Sequence, residues 1–112
     1  MKTLILLRHS KSLHFIEELA DIHRPLNERG YKDAIMMSEL LKKELIKIGL
    51  VITSPAIRAI STALVFAPPL KVKYEQVIIN EQLYGLGKEK IIEVIKSQDD
   101  KINQFFFIKI FI

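Results

Sequence analysis

The chain reads as an α/β protein built on a parallel or mostly parallel sheet. Three observations carry that reading. Short apolar runs alternate along the sequence with segments of helical periodicity. The first run, Leu4 to Leu7, ends directly in Arg8 and His9. Such a run reads as a fully buried strand, the kind found in parallel sheets. The third observation is that helix-start residues follow the strand signals: Asn27 before Glu28, and Ser54-Pro55 after Thr53.

Residues 3–7 form the first expected strand. Asn27 is a suitable N-cap for a helix over Glu28 to Lys47. Ala34, Met37, Leu41, Leu45 and Ile48 recur at helical spacing and form its expected buried stripe. Lys42, Lys43 and Lys47 lie near its C-terminal end, where the helix dipole favours cations, and Gly49 fits the C′ position. Leu50 to Thr53 reads as a second buried strand. Ser54 can cap the next helix and Pro55 is tolerated at its first position. Ile57, Ile60 and Leu64 mark its expected inner face, and Pro68-Pro69 ends it. Val72 to Ile79 reads as a third strand. A loop with two glycines spans Leu83 to Gly87, and a short helix spans 88–97 with Ile91, Ile92 and Ile95 inside. Gln104 to Ile112 reads as a fourth strand.

With 112 residues, 49% of them hydrophobic, the chain supports one domain, 1–112, with a core of its own. There is no cysteine, so thiolate chemistry and disulfides are excluded and a reducing, cytoplasmic setting is expected. The N-terminal apolar run is too short for a signal peptide, and no segment approaches a membrane span, so no membrane partner is expected. The formal charge of +4 favours anionic partners. The basic residues are dispersed and carry no recognition motif, which argues against a nucleic-acid-binding domain.

Arg8 and His9 stand at the C-terminal end of the first strand, where open α/β sheets bind ligands. A histidine there can serve as nucleophile or base, and a guanidinium beside it can hold an anion. Further along come Arg24 to Gly30, "RPLNERG", and Ser54 to Ala63, "SPAIRAISTA". These motifs, in this order and spacing, resemble the histidine phosphatase, or phosphoglycerate mutase-like, superfamily. The resemblance covers roughly residues 3 to 104. "RHSKS" at 8–12, "RPLNERG" and "LYG" at 83–85 bring it nearest to the SixA-type phosphohistidine phosphatases.

The resemblance implies a three-layer α/β/α fold and a phosphatase acting on a phosphohistidine protein or a small phosphoester. It makes His9 the nucleophile that carries the phosphoryl group as a phosphohistidine intermediate. Arg8 and Arg58 become the catalytic, substrate-binding arginines, meeting His9 at the C-terminal edge of the sheet. Ser10, Lys11, Ser12 and Arg24 line the pocket or meet the substrate's carrier. Ser10 stands where the wider superfamily commonly has glycine. No metal and no cofactor are implied, because the arginines supply the neutralising charge. Glu81 stands near the point where mutase-type members carry a general acid, but an exposed loop carboxylate is the preferred reading. His14 and His23 read as loop residues, and Arg29 as support for the helix start.

One family feature is missing. The second histidine, usually in a Gly-His-Asn-Pro sequence after a later strand, has no counterpart, since no histidine follows His23. Four of the six phenylalanines fall between residues 105 and 112. The expectation drawn from both is a truncated or frame-shifted C-terminal part. The chain would then be either an impaired phosphatase or a remnant that binds phosphate through Arg8, His9 and Arg58 without turnover. The segment FFFIKIFI was expected to promote self-association unless buried or paired.

Overall fold

The structure is a computed structural model that describes residues 3–8, 20–44, 47–84, 88–97 and 104–109. Four strands form one sheet: β1 (Thr3–Arg8), β2 (Leu50–Thr53), β3 (Val77–Ile79) and β4 (Gln104–Lys109). Their order is β1-β4-β2-β3, and every pairing is parallel. Three α-helices connect them: α1 (Glu28–Lys42), α2 (Ile57–Phe66) and α3 (Lys88–Lys96). The expected α/β class with a parallel sheet is what the chain adopts.

The register lines up the strand ends. Leu7 pairs with Ile108, Ile108 with Thr53, and Thr53 with Ile79. All four C-terminal ends therefore share one edge of the sheet. β4 lies between β1 and β2, so these two are about 10 Å apart, two strand spacings. The phenylalanine-rich strand thereby meets the exception stated for it, that of being paired. Over Phe105–Ile108 it is paired on both sides, and among the described residues the edge strands are β1 and β3. Residues 110–112 lie outside the described residues.

α1 begins as the sequence implies. The Asn27 Oδ1 accepts from the Gly30 N–H at 2.7 Å, satisfying one orphan donor of the first turn. It ends at Lys42, five residues before the expected boundary. The Lys43 and Glu44 N–H groups bond back to the Leu40 and Leu41 carbonyls at 3.2 and 3.0 Å. Those i→i−3 bonds tighten the turn and release the chain, so Ile48 reaches the core from the approach to β2. The buried stripe of α1 is Gly30, Ala34 and Ser38. Leu41 is half-buried, while Met37 is exposed.

α2 differs from expectation in the face it buries. Arg58, Ala59, Thr62, Ala63 and Phe66 are inside. Ile57 and Leu64 are exposed and Ile60 is half-buried. The helix starts at Ile57 rather than Pro55, with Ser54 Oγ accepting from the Ala56 N–H at 3.2 Å. Ala59 and Ala63 have no bulk, so α2 can lie close to α1 and to the sheet, and both alanines join the main apolar cluster with Val51, Phe66 and Val72. Beyond α2 the Val72 N–H bonds to the Ala67 carbonyl at 2.9 Å, and Lys71 takes a left-handed φ of 57°. That is the arrangement of a Schellman-type helix end.

The third strand is shorter than expected. A 3₁₀ turn occupies Tyr74–Gln76, and β3 holds only Val77–Ile79. Gln76 stabilises the turn with its side chain. It accepts from the Lys73 N–H at 2.8 Å and donates to the Gly49 carbonyl at 3.2 Å. In α3, Val94 is buried and Ile92 is exposed, which reverses the expectation for Ile92.

Candidate functional site

The C-terminal edge of the sheet gathers four polar side chains from three separate segments. Arg58 belongs to the first turn of α2, just past the end of β2. Asp21 starts a 3₁₀ turn at Asp21–His23, and Arg24 follows it. Tyr84 follows a second 3₁₀ turn, Glu81–Leu83, just past β3. Leu83 is fully buried beneath it, and the Tyr84 ring packs against the main core.

Asp21 joins them. Its Oδ1 accepts from Arg24 Nε at 3.0 Å and Nη2 at 2.7 Å. Its Oδ2 accepts from Arg58 Nη2 at 2.9 Å and from the Tyr84 hydroxyl at 2.7 Å. Its backbone carbonyl accepts from Arg58 Nη1 at 2.6 Å. Each oxygen of one residue is thus occupied, and two cations meet one carboxylate.

The electrostatics follow from those contacts. The Asp21 carboxyl is held well below the usual carboxylate range, chiefly by the Tyr84 hydroxyl and further by Arg24 and Arg58, while partial burial opposes the shift. The Tyr84 phenol is pushed above its ordinary value of 10.0 by its bond to the Asp21 carboxylate, with burial adding in the same direction. Both shifts keep Asp21 ionised and Tyr84 protonated around neutrality.

Arg58 is the largest fully buried side chain described, at 1% exposure. A buried guanidinium is tolerated only when paired and hydrogen-bonded, and Asp21 supplies that on the Nη1/Nη2 edge. The other edge is different. Nε is buried and finds no partner among the described residues. On a planar guanidinium, Nε–H lies beside an N–H of Nη2, and the two make a side-on fork for an oxyanion. An unpaired buried donor costs about 1–3 kcal/mol, so Nε calls for an acceptor from beyond the described residues.

The expected site residues fall out as follows. Arg8 ends β1 at the same sheet edge, and only its backbone is described. His9, Ser10, Lys11, Ser12 and His14 lie outside the described residues. Arg24 and Arg58 are brought together through Asp21. Glu81 is exposed on its 3₁₀ turn, His23 is exposed, and Arg29 is an exposed helix residue 3.7 Å from Asp33. Asp21 is not among the residues read from the sequence, and Tyr84 enters there only as part of the "LYG" motif, with no role in the site. The signal available for Asp21 is its spacing of three residues from Arg24, which allows a local ion pair.

The sequence profile of the histidine phosphatase superfamily (branch 1) matches residues 4–106. The chain belongs to that superfamily. No curated protein sequence matches it. Among solved structures it is similar to a protein assigned as phosphohistidine phosphatase SixA from Agrobacterium tumefaciens, with 21% identity and a TM-score of 0.85 over 95% of this chain and 67% of that one. A second protein so assigned, from Nakamurella multipartitia, gives 23% identity and 0.81 over 96% and 58%. The protein histidine phosphatase SixA complexed with tungstate gives 19% and 0.81 over 95% and 67%. At these identities the likeness is one of fold, and the chain spans about two thirds or less of each of those chains. Among the described residues of this histidine phosphatase, no helix is long and apolar enough to cross a membrane.

Proposed function

We propose that this histidine phosphatase binds a phosphoryl group at the C-terminal edge of its sheet and hydrolyses it through His9. The observation that carries the reading is the buried Arg58, whose Nε has no acceptor among the described residues. The Arg8 backbone ends the strand that shares this edge, and His9 follows it in sequence.

The chemistry is a two-step displacement. A nitrogen of the neutral His9 imidazole attacks phosphorus, and the bond to the leaving oxygen or nitrogen breaks with its electron pair. The leaving group takes up a proton, and the imidazole carries the phosphoryl group. Water then attacks phosphorus, giving orthophosphate and free imidazole. Arg58 and Arg8 neutralise the charge spread over the equatorial oxygens. A phosphohistidine protein suits this site best among substrates, because its nitrogen leaving group needs no strong acid and Glu81 is exposed on its turn. We propose Ser10, Lys11 and Arg24 as further contacts to the substrate.

The second reading is phosphate binding without turnover, and it rests on the same buried Arg58, which can hold an anion whether or not hydrolysis follows. One experiment separates the two. The 112-residue chain, His9→Ala and Arg58→Ala are assayed for hydrolysis of 4-nitrophenyl phosphate and of a phosphohistidine protein, and for orthophosphate binding. Hydrolysis that disappears in His9→Ala and falls on the order of 10²–10³-fold in Arg58→Ala supports the enzyme. Binding without hydrolysis supports the second reading. Hydrolysis unchanged in His9→Ala defeats the proposal that His9 is the nucleophile.

A further inference from the structure

We infer that Asp21 is a positioning residue, which sets the orientation of Arg58 so that its side-on fork is presented to the bound anion. The inference rests on the phosphate-site reading above.

A carboxylate beside an anion site is at first sight unfavourable. By charge alone it lowers the attraction for phosphate, since two guanidiniums and one carboxylate leave a net charge of +1. Such a group persists where its geometry outweighs its charge. Asp21 engages Arg58 end-on with two different oxygens, the carbonyl at 2.6 Å and Oδ2 at 2.9 Å. Two bonds to the Nη1/Nη2 edge restrain the swing of the rigid, planar guanidinium about the torsions of its side chain. The edge that remains is Nε–H with the neighbouring N–H of Nη2.

Asp21 is itself held from two other sides. Arg24 grips Oδ1 with Nε and Nη2. Tyr84, rooted in the core by its ring, grips Oδ2 with its hydroxyl. Asp21 therefore transmits the rigidity of the β3 end and of the 20–24 segment to an arginine on α2. Pre-set donors lose little entropy when the anion arrives and need no reorganisation as charge develops on it.

The charge view and the positioning view predict opposite signs, and that makes the test decisive. Tungstate and orthophosphate binding to the 112-residue chain is measured by titration calorimetry for the parent, Asp21→Asn, Tyr84→Phe and Arg58→Met. If Asp21 were only a nearby negative charge, Asp21→Asn would bind tungstate more tightly. Positioning predicts weaker binding, by about tenfold or more, the size of one lost charge-assisted hydrogen bond. Tyr84→Phe changes no charge and removes one bond to Oδ2, so positioning predicts a smaller loss in the same direction, roughly threefold. A merely structural role would lower the melting temperature and leave the sign of the charge effect intact.

Undiminished or tighter tungstate binding by Asp21→Asn, with Arg58→Met no longer binding, overturns the inference alone. Should Asp21→Asn not fold, unchanged binding by Tyr84→Phe overturns it equally. Binding absent from the parent, or undiminished in Arg58→Met, overturns the phosphate-site reading and the inference with it.

Discussion

The two ends of the sheet both carry cations and use them in opposite ways. At the C-terminal end, Arg24 and Arg58 converge on one carboxylate, and Arg58 is buried. At the N-terminal end, Lys42, Lys47 and Lys71 are exposed around an open cavity of about 520 Å³ floored by Ile48 and Leu70. The lysines are compact, hydrated charges on flexible stems, whereas the arginines are planar forks held by partners. Among the described residues, the end with a carboxylate at its centre is the one where arginines are held by hydrogen-bonded partners. Local charge density therefore says less about a site than burial and fixation do.

The largest effect expected from this contrast is on stability. Arg58→Ala removes a buried side chain and leaves the Asp21 carbonyl and Oδ2 short of donors, at a cost of about 3 kcal/mol. That is a drop in melting temperature of roughly 10–20 °C for a chain of this size. Lys42→Ala and Lys47→Ala should each stay within about 0.5 kcal/mol of the parent. Thermal melts of the three variants check this, and equal losses at both ends would erase the contrast.

A smaller effect is expected from pH. Asp21 has a folded pKa depressed below its ordinary 3.8. Its contribution to stability is present above that ordinary value and is lost as pH falls below it. Tyr84 has a raised pKa, so its contribution is present below 10.0 and is lost as pH climbs beyond it. Melting temperatures recorded against pH should therefore show an acid limb that flattens in Asp21→Asn and an alkaline limb that flattens in Tyr84→Phe. Substituting the lysines of the other end should leave the acid limb as it is. An acid limb that survives intact in Asp21→Asn would show that the paired end is not its source.

The smallest effect belongs to Lys71, which sits at the lysine end with φ at 57°. A side chain in the left-handed region costs about 1–2 kcal/mol, partly offset in glycine by its freer unfolded chain. Lys71→Gly should gain roughly 0.5 kcal/mol and Lys71→Val should lose about 1 kcal/mol. Denaturant titration of both variants resolves the sign. A gain in Lys71→Val would contradict the left-handed turn.

Much of the fold was legible because its signals are local. Asn27 as a cap needs only its own side chain and the Gly30 N–H. The run from Leu50 to Thr53 reads as a buried strand, and all four residues are buried. The inner face of α2 departs from expectation because apolar size does not decide it. Ile57, Ile60 and Leu64 have helical spacing, yet the helix buries the neighbouring face. That face carries small alanines that permit close approach and an arginine that needs Asp21. Ile57 alone cannot report this, since the choice depends on what the helix packs against. The end of α1 was misplaced for a related reason. Its apolar pattern continues through Ile48, but the chain must turn to enter β2.

The candidate site divides the same way. Arg24 and Arg58 stand in motifs that can be read directly, and the parallel alternation places the ends of β1 and β2 on one edge. Asp21 and Tyr84 stand 63 positions apart and meet only in the folded chain. By itself the sequence determined the class of fold, the superfamily and which cations stand at strand ends, because periodicity, caps and short motifs act over a few residues. Tertiary structure decided that β4 runs between β1 and β2, which face α2 buries, and that one carboxylate holds two arginines and a tyrosine. Those outcomes depend on non-local packing and on partners for buried charge, which no window of sequence contains.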